Sequence, residues 1–167
     1  MKNLWLFVAL GFLFYGCGSP QQDQGQQSQA PISRRKIVTP SKIQDSKKLV
    51  AEGISHLQEA EIEEAIKSFD DAIRKNPLDP EPYIILGQTY IRLKLFDRAV
   101  DTFSAASRIA PARGDIHYLL AISYGLKGQE NLAKQSARRS IELFRQDNDE
   151  ENFLKALALL QGLLKSD

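Results

Sequence analysis

The chain has 167 residues, of which 43% are hydrophobic and 26% are charged, and its formal net charge is +1. This length allows one folded domain with appendages. The only basic cluster, at 34–36, is short, and a nearly neutral chain without a long basic run lacks the electrostatic footprint of a nucleic-acid-binding protein.

A short apolar segment begins the chain. Lys2 precedes an apolar run from Leu4 to Tyr15, which is shorter than the ~20 residues that a membrane-spanning helix needs. Such a run is typical of the core of a signal peptide. We therefore predict a signal peptide over residues 1–16, followed directly by Cys17, which is the only cysteine and cannot form an internal disulfide.

Gly16 and Cys17 resemble the lipobox of bacterial lipoproteins, although Phe14 and Tyr15 depart from its usual residues. The resemblance implies cleavage before Cys17, a diacylglycerol on its thiol and a further acyl chain, such as palmitate, on its amine. Two or three acyl chains would make the membrane attachment effectively permanent. The lipobox resemblance also implies a bacterial envelope location, at the outer rather than the inner membrane, with the domain in the periplasm. The alternative is a chance cysteine in an uncleaved anchor or an ordinary signal peptide.

The next segment, residues 17–45, is predicted to be a disordered tether. It is rich in glutamine, serine and proline, and its apolar residues have no period. Such a composition cannot bury enough apolar surface to offset the entropy lost on ordering. A docking motif within this segment is the alternative.

From residue 46 a helical pattern repeats every 34 residues. Small residues recur where two helices must approach closely, and large apolar residues recur between them. The aligned sets are Leu49, Tyr83 and His117; Gly53, Gly87 and Ala121; His56, Tyr90 and Tyr124; Ala65, Ala99 and Ala133; Phe69, Phe103 and Ala137; and Ala72, Ala106 and Ser140. Pro77 and Pro111 end the first two units.

These positions resemble the tetratricopeptide repeat (TPR), in which small residues let paired helices nest. The resemblance implies an all-α fold with three helix-turn-helix repeats, at 46–79, 80–113 and 114–147, in a short right-handed superhelical array. Asp79 and Pro80 form a helix-start signal, and Gly128 suits a helix stop. Residues 148–167 contain a further amphipathic pattern, from Glu150 to Lys165, which we predict to be a capping helix. A partner-binding or dimerising helix is the alternative.

The motif search predicts no catalytic residue, no metal site and no cofactor. His56 and His117 fall on packing positions of the repeat, and the sequence contains no HExxH pair, no phosphate-binding loop and no paired cysteines. AISYG at 121–125 only loosely resembles a nucleophile elbow, because Ser123 lies within a helical pattern. We therefore predict that the chain is not an enzyme.

The TPR resemblance implies a concave groove lined by the first helices of the repeats. Val50 and Ile54 replace the polar residues with which some TPR domains grip a C-terminal carboxylate, and Asp115 would repel such a group. The predicted groove is instead largely apolar, and a contiguous apolar strip marks an interaction site. Its predicted residues are Val50, Ile54, Leu57, Ile84, Gln88, Ile91, Arg92, Tyr118, Ile122 and Leu126.

These features predict a membrane-tethered adaptor or scaffold for envelope assembly. Its partners would be envelope proteins that place an apolar peptide or amphipathic helix in the groove, and nucleic acid is not expected as a partner. The alternative function is a carrier or sensor of a lipid or another apolar small molecule. A further alternative is that the tether or a second copy of the chain, in a homo-oligomer, covers part of the strip.

Overall fold

A computed structural model describes residues 38–165, and over this range it contains seven α-helices and no strand. The helices are α1 (Pro40–Gln58), α2 (Ile62–Lys75), α3 (Pro80–Arg92), α4 (Phe96–Ile109), α5 (Gly114–Leu126), α6 (Glu130–Gln146) and α7 (Glu150–Lys165). The predicted signal peptide, Cys17 and the tether up to residue 37 lie outside the described residues.

The helices form consecutive pairs, and each pair packs on the next. α1 packs with α2, α3 with α4 and α5 with α6, while α2 contacts α3 and α4 contacts α5. This arrangement confirms the predicted all-α array of three helix-turn-helix units. Among the described helices, none is both long and apolar enough to cross a membrane.

Glycines of the first helices receive phenylalanine rings of the second helices. A Cβ added to Gly53 would lie 2.7 Å from the ring of Phe69, and one added to Gly87 would lie 2.6 Å from the ring of Phe103. Both rings are fully buried. Since real Cβ atoms do not approach a ring carbon so closely, each glycine is needed for the close packing that the repeat pattern predicts.

The third repeat is packed differently, and α7 completes it. Ala137 and Ser140 of α6 are fully buried, as is Ala156 of α7. α7 packs mainly on α6 and also touches α5. The last repeat would otherwise expose its apolar side, so the predicted capping helix is confirmed with the bounds that the sequence indicated.

The first helix begins earlier than predicted. α1 starts at Pro40, so residues 40–45 belong to a helix rather than to the disordered tether. Proline is favoured in the first turn because its missing amide needs no partner there. The buried Ser46 hydroxyl donates a hydrogen bond of 3.0 Å to the Ala72 carbonyl, and Asp45 pairs with Lys75 at 3.7 Å. The buried hydrogen bond of Ser46 fixes this end of α1 against α2, whereas the exposed Asp45–Lys75 pair contributes little.

Candidate partner-binding groove

The first helices of the three repeats together line an apolar depression of about 370 Å³. α1 provides one side, α3 the central part and α5 the other side. The residues that line it are Leu57, Ile85, Gln88, Thr89, Ile91, Arg92, Leu119 and Ile122. The depression therefore depends on the correct stacking of all three repeats.

Five predicted groove residues line this depression: Leu57, Gln88, Ile91, Arg92 and Ile122. Gln88 and Arg92 are exposed, whereas the three apolar residues are half-buried. Such an arrangement offers apolar surface at the bottom and polar groups that a partner can reach from solvent.

Four other predicted residues do not line the depression. Val50 is half-buried and packs against the main core cluster. Tyr118 is half-buried, whereas Ile54 and Leu126 keep 38% and 48% of their surface exposed. The predicted groove set is thus divided between the depression, its surroundings and the core.

Ile84 is the one predicted groove residue that the structure buries. Only 7% of its surface is exposed, because it packs with Ala106 of α4 and Ile116 of α5 in a second core cluster. The prediction for Ile84 is therefore wrong. Its neighbour Ile85 lines the depression instead, since successive residues of a helix lie about 100° apart around its axis.

Sequence reasoning also missed Thr89 and Leu119. Leu119 occupies the position of Ile85 after one 34-residue step, so a register corrected to Ile85 would also have identified Leu119. The Thr89 hydroxyl donates a hydrogen bond of 2.9 Å to the Ile85 carbonyl. This internal bond satisfies the hydroxyl within its own helix.

Among the described residues, Arg92 is the only charged side chain that lines the depression. Within residues 38–165 it forms no ion pair, whereas Arg113, at the start of α5, pairs with both Glu81 and Asp115. The hydrogen bond to Asp115 is the largest of the effects that raise the pKa of the Arg113 guanidinium. Asp115 is therefore already partnered.

A second depression, of about 500 Å³, lies between α5 and α6. His117 and Arg138 lie on its wall, as do Arg139 and Glu142, which pair with each other at 2.9 Å. It is larger than the groove, but residues of only one repeat line it. The depression lined by α1, α3 and α5 is therefore the better candidate for the partner-binding groove, because all three repeats contribute to it.

The two histidines have different surroundings. His117 Nε2 lies 3.1 Å from the Pro111 carbonyl oxygen, and since a carbonyl only accepts, this nitrogen carries the proton. Burial is the main cause of the lowered pKa of His117. His56 Nδ1 instead lies 2.6 Å from Glu61 Oε2, and its side chain is 34% exposed. His56 is therefore a semi-exposed residue of the first repeat that also contacts Glu61.

Comparisons with known proteins agree with this architecture. Two sequence profiles of the tetratricopeptide repeat match, one over residues 56–122 and the other over residues 114–147. Superkiller protein 3 of Saccharomyces cerevisiae is 32% identical over 71 residues, which are 42% of this chain and 5% of that protein. The chain thus matches a small fraction of this curated relative.

Solved structures of TPR domains share the fold at low identity. The first TPR of Spaghetti, bound to an HSP90 peptide, has a TM-score of 0.66 at 19% identity and covers 74% of this chain and 94% of its own. The TPR2B domain of yeast Sti1, in a pHsp70 complex, has a TM-score of 0.69 at 14% identity, with coverages of 74% and 99%. PcrH, in complex with the chaperone binding region of PopD, has a TM-score of 0.66 at 19% identity, with coverages of 72% and 92%. With the profile matches, these similarities show that the chain contains tetratricopeptide repeats and adopts the TPR fold.

Proposed function

We propose that the chain is a membrane-tethered, non-enzymatic adaptor that binds an apolar peptide or amphipathic helix of an envelope protein. The observation that carries the proposal is the apolar depression to which three successive first helices contribute. Because Gln88 and Arg92 are exposed, the depression is open to solvent and suits a segment of a macromolecular partner.

The similar solved structures support a peptide as the ligand. Spaghetti was solved with an HSP90 peptide, and PcrH with a region of PopD. An amphipathic helix docks in such a groove through apolar anchors at helical spacing. Leu57, Ile91 and Ile122 would form the apolar surface for those anchors, and Arg92 would contact the polar face of the ligand.

The sequence of the N-terminus supports the membrane tether. The apolar run up to Tyr15 and the single Cys17 indicate a lipoprotein signal. A lipid on Cys17 and the polar segment before α1 would hold the repeats close to the membrane surface. We propose accordingly that the adaptor belongs to the bacterial envelope and is anchored in the outer membrane.

The adaptor proposal is tested by crosslinking in native envelopes. A photoreactive residue at Gln88 should give a discrete protein adduct, because this exposed side chain borders the depression. The Ile122→Glu change should abolish that adduct, since it places a charge in the apolar surface. A photoreactive residue at Leu78, which is 65% exposed in the connection between α2 and α3, serves as the control.

Unchanged crosslinking from Gln88 in a folded Ile122→Glu variant would contradict the groove proposal. The lipid-carrier alternative predicts a different result. A carrier would be purified with about one apolar small molecule per chain, detectable by solvent extraction and mass spectrometry, whereas the adaptor would show only the acyl chains attached to Cys17.

A further inference from the structure

The turn between α1 and α2 places three potential metal ligands together. His56 lies in the last turn of α1, Glu59 directly follows α1, and Glu61 directly precedes α2. One donor atom from each residue lies within 4.8 Å of the other two. All three side chains are accessible from solvent, so an ion could reach them.

The same backbone turn occurs in the other two repeats. Its central residue has a positive φ in each case, with 63° at Ala60, 59° at Lys94 and 76° at Gly128. Each turn is also closed by one backbone hydrogen bond of the same type. These bonds are Glu61 N–H to His56 O at 2.8 Å, Leu95 N–H to Tyr90 O at 2.9 Å and Gln129 N–H to Tyr124 O at 2.8 Å.

The other two turns carry different side chains at the three positions. A 34-residue step places Tyr90, Leu93 and Leu95 there in the second repeat, and Tyr124, Lys127 and Gln129 in the third. The turn therefore forms without an imidazole or a carboxylate. Tyr90 is 7% exposed and belongs to the core, whereas His56 lies against Glu61 at the surface. Helix packing and turn geometry thus do not account for the histidine and the two glutamates.

Stability does not account for them either. The His56–Glu61 contact is a surface pair, with side chains 34% and 48% exposed, and such pairs contribute little to stability. Glu59 only accepts a hydrogen bond of 3.3 Å from the Ser55 hydroxyl. The backbone holds the three residues in place, and their side-chain ends are free to reorient around a ligand.

We propose that His56, Glu59 and Glu61 form a site for a divalent transition metal ion of the zinc type. An imidazole nitrogen and carboxylate oxygens bind Zn²⁺ at about 2.0–2.2 Å, so neighbouring donors around a tetrahedral ion lie roughly 3.5 Å apart. Rotation of the exposed glutamates brings the three donors from their present spacing to that distance. The fourth position stays open for water or for a group of a partner.

The choice of metal follows from the donors. Ca²⁺ and Mg²⁺ prefer oxygen ligands, whereas an imidazole favours zinc and its neighbours. His56 must present a neutral nitrogen to the ion, so binding exchanges its hydrogen bond with Glu61 for a bond to the metal. A bound ion would connect the end of α1 to the start of α2 and stabilise the first repeat.

The experiment is a calorimetric titration of the chelator-treated full chain, in detergent, with Zn²⁺. The Cys17→Ser background ensures that no thiol of unlipidated chain competes for the ion. We expect one Zn²⁺ per chain and a rise in thermal unfolding temperature with Zn²⁺ concentration. Loss of a partner that merely orients a ligand typically costs 10–100-fold in metal affinity, so His56→Ala and Glu61→Gln should each weaken binding at least about tenfold.

Two variants serve as matched controls. His117→Asn removes the other histidine, and Glu63→Gln removes a neighbouring exposed carboxylate of α2, so both should bind Zn²⁺ like the parent. Absence of saturable Zn²⁺ binding would overturn the proposal, as would His56→Ala binding like the parent. Equal affinity for Mg²⁺ and Zn²⁺ would also overturn the proposal, because the two carboxylates alone would then explain the binding and the imidazole would have no role. These outcomes do not depend on whether the groove binds a peptide.

Discussion

The same repeats build two features, which are the packing seam within each helix pair and the concave groove. The packing seam recurs from repeat to repeat, whereas the groove does not. The packing seam, formed by Gly53 with Phe69 and by Gly87 with Phe103, is the same in the first two repeats. The groove positions are not equivalent, since Ile84 is buried while its 34-residue counterparts Val50 and Tyr118 are half-buried. Repetition therefore specifies how the helices nest, whereas the surface available to a partner depends on what each neighbouring repeat covers.

The largest expected effect tests the packing seam. Phe103→Ala should lower the free energy of unfolding by about 3–5 kcal/mol, because the ring is fully buried and its removal leaves a cavity beside Gly87. Urea denaturation followed by circular dichroism measures this loss. Phe96→Ala, on the same helix at a half-exposed position, is the matched control and should cost clearly less. Equal losses would contradict the special role of the seam.

An intermediate effect should separate the core from the groove with one residue type. Ile84→Ala should cost about 2–5 kcal/mol, because Ile84 packs between α4 and α5. Ile122→Ala should cost less than about 1.5 kcal/mol, since its half-buried side chain already retains contact with water. The urea midpoints of the two variants measure this difference, provided that the slope of the unfolding free energy against urea concentration is the same in both. If the ranking were reversed, Ile122 rather than Ile84 would be the core residue.

The sequence was sufficient to predict the paired helices because their packing repeats. Gly87 and Phe103 have counterparts 34 residues away, and the helix signals at Asp79 and Gly128 are local. Asp79 Oδ1 accepts a hydrogen bond of 3.0 Å from the Glu81 amide, and Gly128 has a φ of 76°, as these signals indicated. The sequence does not predict that α1 starts at Pro40, because the polar composition of residues 40–45 outweighs the helix-start signal of this proline. Contacts with α2 nevertheless stabilise this end of α1.

The groove and the α1–α2 turn were harder to predict for a different physical reason. A shift of one residue turns a side chain by about 100° around the helix axis, so the repeat register alone does not separate Ile84 from Ile85. His56 and Glu59 are three residues apart at the end of α1, a spacing that places two side chains on one side of a helix. Glu61 lies beyond this helix and joins them because the chain reverses at Ala60, where φ is positive.

The smallest expected effect concerns a hydrogen bond that occurs at equivalent positions of two successive repeats. Tyr83 donates to the Pro77 carbonyl at 3.3 Å, and His117 donates to the Pro111 carbonyl at 3.1 Å, one repeat later. Of these two side chains, only His117 can gain a proton near neutral pH. Burial is the largest cause of its lowered pKa and Arg139 adds to it, while the Pro111 hydrogen bond and Asp115 act in the opposite direction.

A lowered pKa in the folded state means that the unfolded chain binds this proton more readily. The contribution of His117 to stability is therefore complete above the ordinary imidazole pKa of about 6.5 and declines as the pH falls towards the lowered value. We expect the urea midpoint of the parent chain to fall between pH 7.5 and pH 5.5 more than that of His117→Gln, which keeps an N–H donor but does not titrate. An identical decline in both proteins would mean that protonation of His117 does not oppose folding, and would contradict the lowered pKa.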